Sequence, residues 1–484
     1  MKYYRQYIGG EWVEPASGQR FKDTNPFDGS VVAEIAAGDR ADAAAAVASA
    51  AAAFPAWNAL TPEEKQRYFL AMATALEQRQ EEIFELLARE TGMAVGNARS
   101  GFHRGVTELR QAAGWVYLPH GEVIRSNFPG RFNMAVRRPL GVVAGISPWN
   151  SAQALAWRTA IAPIAFGNTV VLKPSEESPI CAGFILAEVA EEVGLPPGVL
   201  NVVAHAKGAA EEVADEFFEN DAVRCINFTG SSRVGRLLAE RAARHLKRIV
   251  LELGGYNPML VMGDADLEYA ADAATFGAFF HQGQICMSTR KVIVEEPIYD
   301  SFVAQLVEKT KALRLGDPLD QSTRIGPLIT PEAVTRVQES IDDAVGRGAR
   351  ILVGGGTQGQ CFEPTILADV SEDSMLYREE AFGPVVVVQP VKDVAEGVRV
   401  ANDHRYGLAA SVFTGDPDAA LEIAAQIRAG GVRINDQTVM DENQMPLGGV
   451  KDSGWGRSGP HSIEDFTEWQ WVSVQNGRRT FPTS

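Results

Sequence analysis

The sequence predicts an α/β fold built on parallel sheet. Two observations predict it. From Leu140 onward, short apolar runs alternate with helical stretches in a regular βαβ series. After Gly254 a second α/β series begins, too long to share one core with the first in a chain of 484 residues.

The elements follow in order. Residues 39–54 read as an Ala-rich helix stopped by Pro55. A second helix is expected from about Pro62 to Thr91, with Phe69, Met72, Leu76, Ile83, Leu86 and Leu87 on one face. The first series places strands at 141–146, 169–173, 199–203, 224–228 and 248–253, with helices near 152–166, 178–193, 208–218 and 231–246. The second places helices near 266–280, 298–313, 331–347 and 417–428, and strands near 291–295, 384–390 and 432–435. The boundary falls near LELGG (251–255). Two segments fit neither series: 118–138 and the Trp-rich tail 464–484. Alternation in EWQWVSVQ (468–475) predicts a strand with an open edge, suited to pairing with another subunit.

Composition narrows the function. Charged residues make up 22% and the net charge is −17, so the chain repels phosphate backbones and nucleic acid is not an expected partner. The four cysteines, 181, 225, 286 and 361, lie far apart, with neither a CxxC pair nor zinc-ligand spacing. That spacing fits a reducing compartment. The opening residues have no apolar signal region, and the Ala-rich stretch 41–53 is too short and too weakly apolar to span a bilayer. A cytoplasmic protein without a membrane partner is expected.

Several segments have residue types suited to chemistry. In GQIC (283–286), glycines let backbone approach a ligand, and Cys286 reads as a thiolate nucleophile. Alone, this tetrapeptide more often holds an inert buried thiol. In LELGG, Glu252 ends an apolar strand, where a raised pKa suits a general base; a salt-bridged strand-end Glu reads equally well. In SPWN (147–150), Pro148 stops the preceding strand and the Asn150 amide could donate to an oxyanion, though a turn Asn is the stronger reading in isolation. KPSE (173–176) puts Lys173 and Glu176 at a carboxyl strand end, where a carboxylate can accept from both ribose hydroxyls and repel a 2′-phosphate, favouring NAD over NADP; a solvated turn is the alternative. In FTGSSRVG (228–235), Gly230 and Ser231 open a helix whose free N–H groups can hold a pyrophosphate. It is not a GxGxxG fingerprint. EEAFGPV (379–385) places Glu380 and Phe382 before a strand, where a capping Glu and a core Phe are the better reading of the segment alone.

Taken together, SPWN, KPSE, FTGS, LELGG, GQIC, EEAFGP and the late loop PLGGVKDSGWGR (446–457) resemble the aldehyde dehydrogenase superfamily, in the family's order and over nearly the whole chain. The resemblance implies a Rossmann-like cofactor domain (1–117 and 139–251), an α/β catalytic domain (252–450) and a small β oligomerisation element (118–138 and 464–484), in a homodimer or homotetramer. It implies Cys286 as nucleophile, Asn150 and the Cys286 backbone N–H as oxyanion hole, and Glu252 as base. For NAD it implies Ile146, Ser147, Pro148, Trp149, Ser175, Gly235 and Leu253 around the cofactor, and Lys173 and Glu176 on the adenosine ribose. Gly230 and Ser231 would sit by the pyrophosphate, Glu380 on the nicotinamide ribose and Phe382 against the nicotinamide. No metal is implied.

The strings FHQGQICMS (280–288) and INDQTVMDENQMP (434–446) are similar to those of benzaldehyde, vanillin and salicylaldehyde dehydrogenases, which implies an aromatic aldehyde. Phe280, Ile285 and Met287 would frame the nucleophile. Arg158 would bring a cation to the pocket wall, where many members for aliphatic aldehydes have an aromatic residue; a structural salt bridge facing away is weighed equally. Tyr256 replaces the Lys that often follows LELGG. Two other outcomes belong to the superfamily: a CoA-acylating semialdehyde dehydrogenase, which typically lacks the base that Glu252 supplies, and a non-enzymatic crystallin-like relative, which would tolerate loss of the site residues present here.

Overall fold

A computed structural model describes residues 1–481, so residues 482–484 of the expected oligomerisation element lie outside the described residues. Two sheets organise the chain. The first has eight strands in the order 454–455, 248–252, 223–229, 142–146, 169–173, 200–202, 6–8 and 11–13. Its five central strands are parallel, and antiparallel pairings close both edges. These five strands are rich in Val, Ile and Leu because helices cover both faces.

Chain order reverses at the strand Val142–Ile146, which lies between 169–173 and 223–229. Ligands of doubly wound sheets bind in the crevice outside such a switch point. Register aligns Ile146 with both Lys173 and Phe228, and Thr229 with Glu252, so the residues singled out from the sequence share one carboxyl edge.

The second sheet has seven strands in the order 350–353, 365–368, 385–391, 291–295, 258–261, 409–413 and 431–434. All pairings except that of the edge strand 350–353 are parallel. A third sheet is small and antiparallel: Thr467–Gln475 pairs along its whole length with Arg131–Pro139, which pairs with Gly121–Arg125. Its outer strand 467–475 keeps one edge open, as the alternation predicted.

Three helical expectations need correction. The first helix runs Arg40–Ala59 with Pro55 inside it, not before it. Asp39 caps its start in a capping box with Asp42, and buried Trp57 anchors the turn beyond the proline by donating Nε1–H to the Ile164 carbonyl (3.0 Å). One lost backbone bond does not end a helix held from both sides. The single helix 62–91 is two helices, Pro62–Gln78 and Gln80–Thr91, divided at Arg79 (φ −102°, ψ 12°). There the guanidinium bridges Glu82 and Glu188. The helix Val95–Trp115, absent from the sequence reading, packs against Ala152–Ala165 and carries charge to the site. Among the described residues no single helix is long and apolar enough to cross a membrane.

Candidate active site

Glycine brings three segments together. A Cβ at Gly254 would lie 2.3 Å from Glu380 Oε2, and one at Gly255 would lie 2.6 Å from the Cys286 carbonyl. Only bare backbone lets the end of the 248–252 strand pass between the Cys286 and Glu380 segments. The late loop pins that end: the Leu253 N–H donates to the Ser453 carbonyl (3.1 Å) and Ser453 Oγ–H to the Gly254 carbonyl (2.7 Å). Asn257 Nδ2 donates to the carbonyls of Cys286 (2.7 Å) and Ser288 (2.8 Å), fixing the loop that carries the thiol.

One cavity gathers Cys286, Glu252 and Asn150, together with Leu253, Arg158, Phe280, Ile285 and Met287. Asn150 is buried and donates Nδ2–H to the Gln284 carbonyl (2.8 Å), which holds its amide beside the cysteine loop. Burial pushes the Cys286 thiol up to about 12, and the nearby carboxylates of Glu380, Glu252 and Asp441 add to the shift. Burial likewise pushes Glu252 up to about 8, against the pull of Arg158 and Arg457. Its Oε1 is buried without a hydrogen-bond partner. A carboxyl kept poised between its two forms is suited to moving a proton.

Arg158 is salt-bridged but does not face away from the cavity, because its partner Asp441 lines the cavity with it. It lines the cavity and also pairs with Asp441 (3.0 Å) and Glu108 (3.6 Å). Asp441 is shared with Arg104 (2.6 Å). Burial lifts Glu108 to about 7, while the two arginines hold Asp441 below the ordinary carboxylate range. Arg104 and Asp441 also line the cavity, as do Met93 and Met440, and none was singled out from the sequence. Arg104 lies on the helix that was missed, and Asp441 stood inside the quoted 434–446 string without a role.

The other predicted residues from 146 to 176 and from 230 to 235 end or follow strands of the first sheet, and Glu380 and Phe382 precede the strand 385–391 of the second. Ile146 ends its strand, and the Ser147 N–H donates to the Lys173 carbonyl (3.2 Å). Past Pro148, the Trp149 ring stands edge-on to Phe382 (5.8 Å between centroids), whose backbone is in the left-handed region (φ 49°). A phenylalanine held there costs about 1–3 kcal/mol, a strain that collects at functional sites. Glu380 is half-buried beside Arg290 (3.7 Å), and its buried Oε1 has no hydrogen-bond partner. Lys173 is buried against His205 (2.6 Å), which also faces Glu176 (3.8 Å), while Ser175 Oγ–H donates to Glu176 (3.5 Å). Ser231 caps the helix Ser232–Arg244, accepting from the Val234 N–H. Gly230 precedes it and donates its N–H to the Glu252 carbonyl (3.0 Å). At Gly235 a Cβ would strike the Leu253 side chain (2.6 Å), so the helix lies flat against the strand end. Tyr256 stacks on His404 (3.9 Å) and donates to the Leu376 carbonyl (2.7 Å), away from the cavity lining. Among the described residues no group of His, Cys, Asp and Glu could hold a metal ion.

The Aldehyde dehydrogenase family matches residues 12–472. The chain belongs to the aldehyde dehydrogenase family. It is an oxidoreductase acting on aldehydes. A vanillin dehydrogenase of Pseudomonas fluorescens is 46% identical over 98% of each chain. A benzaldehyde dehydrogenase [NAD(+)] of Pseudomonas putida is 35% identical over 99% of this chain and 98% of its own. The crystal structure of a salicylaldehyde dehydrogenase from Pseudomonas putida G7, complexed with salicylaldehyde, superposes with a TM-score of 0.97 at 39% identity, covering all of both chains.

Proposed function

We propose that this aldehyde dehydrogenase oxidises an aromatic aldehyde to its carboxylic acid with NAD, using Cys286 as nucleophile and Glu252 as base. The convergence of the thiol, the Asn150 amide and the poised Glu252 carboxyl on one cavity supports this reading most directly. The Cys286 thiol gives its proton to water, the resulting thiolate sulfur forms a bond to the carbonyl carbon, and the C=O π electrons move onto oxygen. Asn150 and the backbone N–H of Cys286 donate to that oxygen. A bound NAD would supply the hydride acceptor for that carbon, and Cys286 would then hold the acyl group as a thioester. Glu252 then takes a proton from water. The water oxygen adds to the thioester carbon, and the C–S bond breaks to release the acid.

The residues at the switch point suit a dinucleotide. Glu380 Oε1 is a buried acceptor without a hydrogen-bond partner, fit for ribose hydroxyls, and the helix capped by Ser231 opens from the carboxyl end of the strand 223–229. Lys173 and Glu176 serve the adenosine ribose, and the Glu176 carboxylate disfavours a 2′-phosphate. Gly230 and Ser231 take the pyrophosphate and Phe382 the nicotinamide. Ile146, Ser147, Pro148, Trp149, Ser175, Gly235 and Leu253 shape the groove. Segments 1–117 and 139–251 form the cofactor domain and 252–450 the catalytic domain.

Phe280, Ile285 and Met287 give the substrate apolar walls, and Arg158 beside Asp441 gives a polar ring substituent a partner. The vanillin, salicylaldehyde and benzaldehyde relatives support that substrate class. The four free cysteines fit work in the cytoplasm. The exposed third sheet joins chains into a homodimer or homotetramer.

A turnover panel tests the proposal. Benzaldehyde and hydroxybenzaldehydes should form NADH with higher kcat/KM than linear aldehydes, and NAD should outperform NADP. A strict requirement for CoA, or turnover of linear aldehydes alone, would contradict it.

A further inference from the structure

We propose that His205 is a positioning residue of the adenosine-ribose site, holding the Lys173 ammonium in the direction from which it meets NAD. The inference rests on the reading that Lys173 and Glu176 serve that ribose. It begins in the sheet. Strand Leu200–Val202 runs parallel to Thr169–Lys173 with Val202 opposite Leu172, and the Val203 N–H still donates to the Leu172 carbonyl (3.0 Å). The two chains therefore leave the sheet side by side. Two residues further on, the His205 ring reaches Lys173.

The ring's chemistry is set by its second nitrogen. Nδ1 lies 3.0 Å from the Ala206 carbonyl, which can only accept, so Nδ1 carries the proton. Nε2 is then a lone pair, and it faces Lys173 Nζ at 2.6 Å. Burial and the Lys173 charge keep this imidazole neutral, holding it down at about 4. One of the three ammonium hydrogens is thus engaged with a fixed partner, and the other two are aimed by it. Glu176 Oε2 stands 3.8 Å from the same Nε2, and its side chain is the partly exposed member of the three, with 26% of its surface open against none for the His205 side chain. Donor and acceptor are presented together at the carboxyl end of the strand. A long, flexible lysine chain positioned in advance loses less freedom when the ligand arrives.

The sequence marks none of this, because His205 lies in a loop of small residues, VAHAKG, with no motif around it.

Calorimetric titration of NAD into the full-length protein tests the inference. His205→Phe keeps the ring volume and removes the acceptor, and His205→Asn places an amide too short to reach Nζ. Each should raise the Kd for NAD roughly tenfold, the effect of losing one charge-assisted hydrogen bond. His205→Gln, whose amide oxygen can occupy the place of Nε2, should stay within about threefold of the parent. In a Lys173→Met background His205→Phe should add nothing, since His205 acts through Lys173. Unchanged binding in a folded His205→Phe or His205→Asn protein, failure of Gln to rescue, or additive effects would overturn the role of His205. If Lys173→Met itself leaves the Kd unchanged, the ribose assignment falls, and the inference with it.

Discussion

At the scale of single residues, Glu252 sets the strongest expectations. Its carboxyl titrates near 8 because burial disfavours the anion, so at neutral pH the acid form predominates. Only the anion can take a proton from water. Turnover limited by thioester hydrolysis should therefore rise with pH and level off above about 8. Glu252→Gln should remove that limb of the kcat profile and slow turnover by about 10²–10⁴-fold. A Gln variant with the parent's rate and profile would exclude Glu252 as the base. The same shift acts on stability. The folded carboxyl holds its proton to a higher pH than the unfolded one, whose pKa is about 4.3, so folding binds a proton between those values. Stability from this group is full below about 4.3 and is lost as pH rises through about 8. Glu252→Gln should thus raise Tm at pH 8 more than at pH 5; an equal change at both would refute the linkage. Asn150→Ala should cost about 10²–10³-fold in kcat if its amide stabilises the oxyanion. A loss confined to KM would place Asn150 in substrate binding alone.

At the scale of elements, the residues at strand ends were legible because parallel strands are continuous apolar runs, and the polar residue that stops each run marks the carboxyl edge. Lys173 and Glu252 stand out for that reason. The helix Val95–Trp115 was not legible, since glycines at 96, 101, 105 and 114 interrupt its pattern. Tertiary packing overrides that weak propensity. At Gly105 a Cβ would lie 2.6 Å from the Trp157 ring, so the glycine brings this helix against Ala152–Ala165 and places Arg104 and Glu108 beside Arg158. Gly105→Ala should destabilise the fold by about 1–3 kcal/mol through overpacking, seen as a lower denaturant midpoint. An unchanged midpoint would show that the two helices can part without cost. Arg104, Asp441 and His205 escaped notice for a related reason. Their partners are 337, 283 and 32 positions away in the chain, and no spacing announces such pairs.

At the scale of the whole molecule, the third sheet exposes large apolar side chains. Val123 and Trp471 are each 71% exposed, with Ile124, Phe132 and Val474 near them in the same three strands. Association through this sheet should be abolished by Val123→Glu with Trp471→Glu, read by light scattering on a size-exclusion column. The folded parent eluting as a monomer would remove the oligomerisation role. The proposed chemistry depends on one bond, between the Cys286 sulfur and the carbon of the aldehyde. The most direct measurement is mass spectrometry of the Glu252→Gln protein after mixing with benzaldehyde and NAD, because loss of the base should let the thioester accumulate. The account predicts one benzoyl group per chain, located on the peptide that contains Cys286. An acyl group on Cys181, Cys225 or Cys361, or acid formed at the parent's rate by Cys286→Ala, would contradict it.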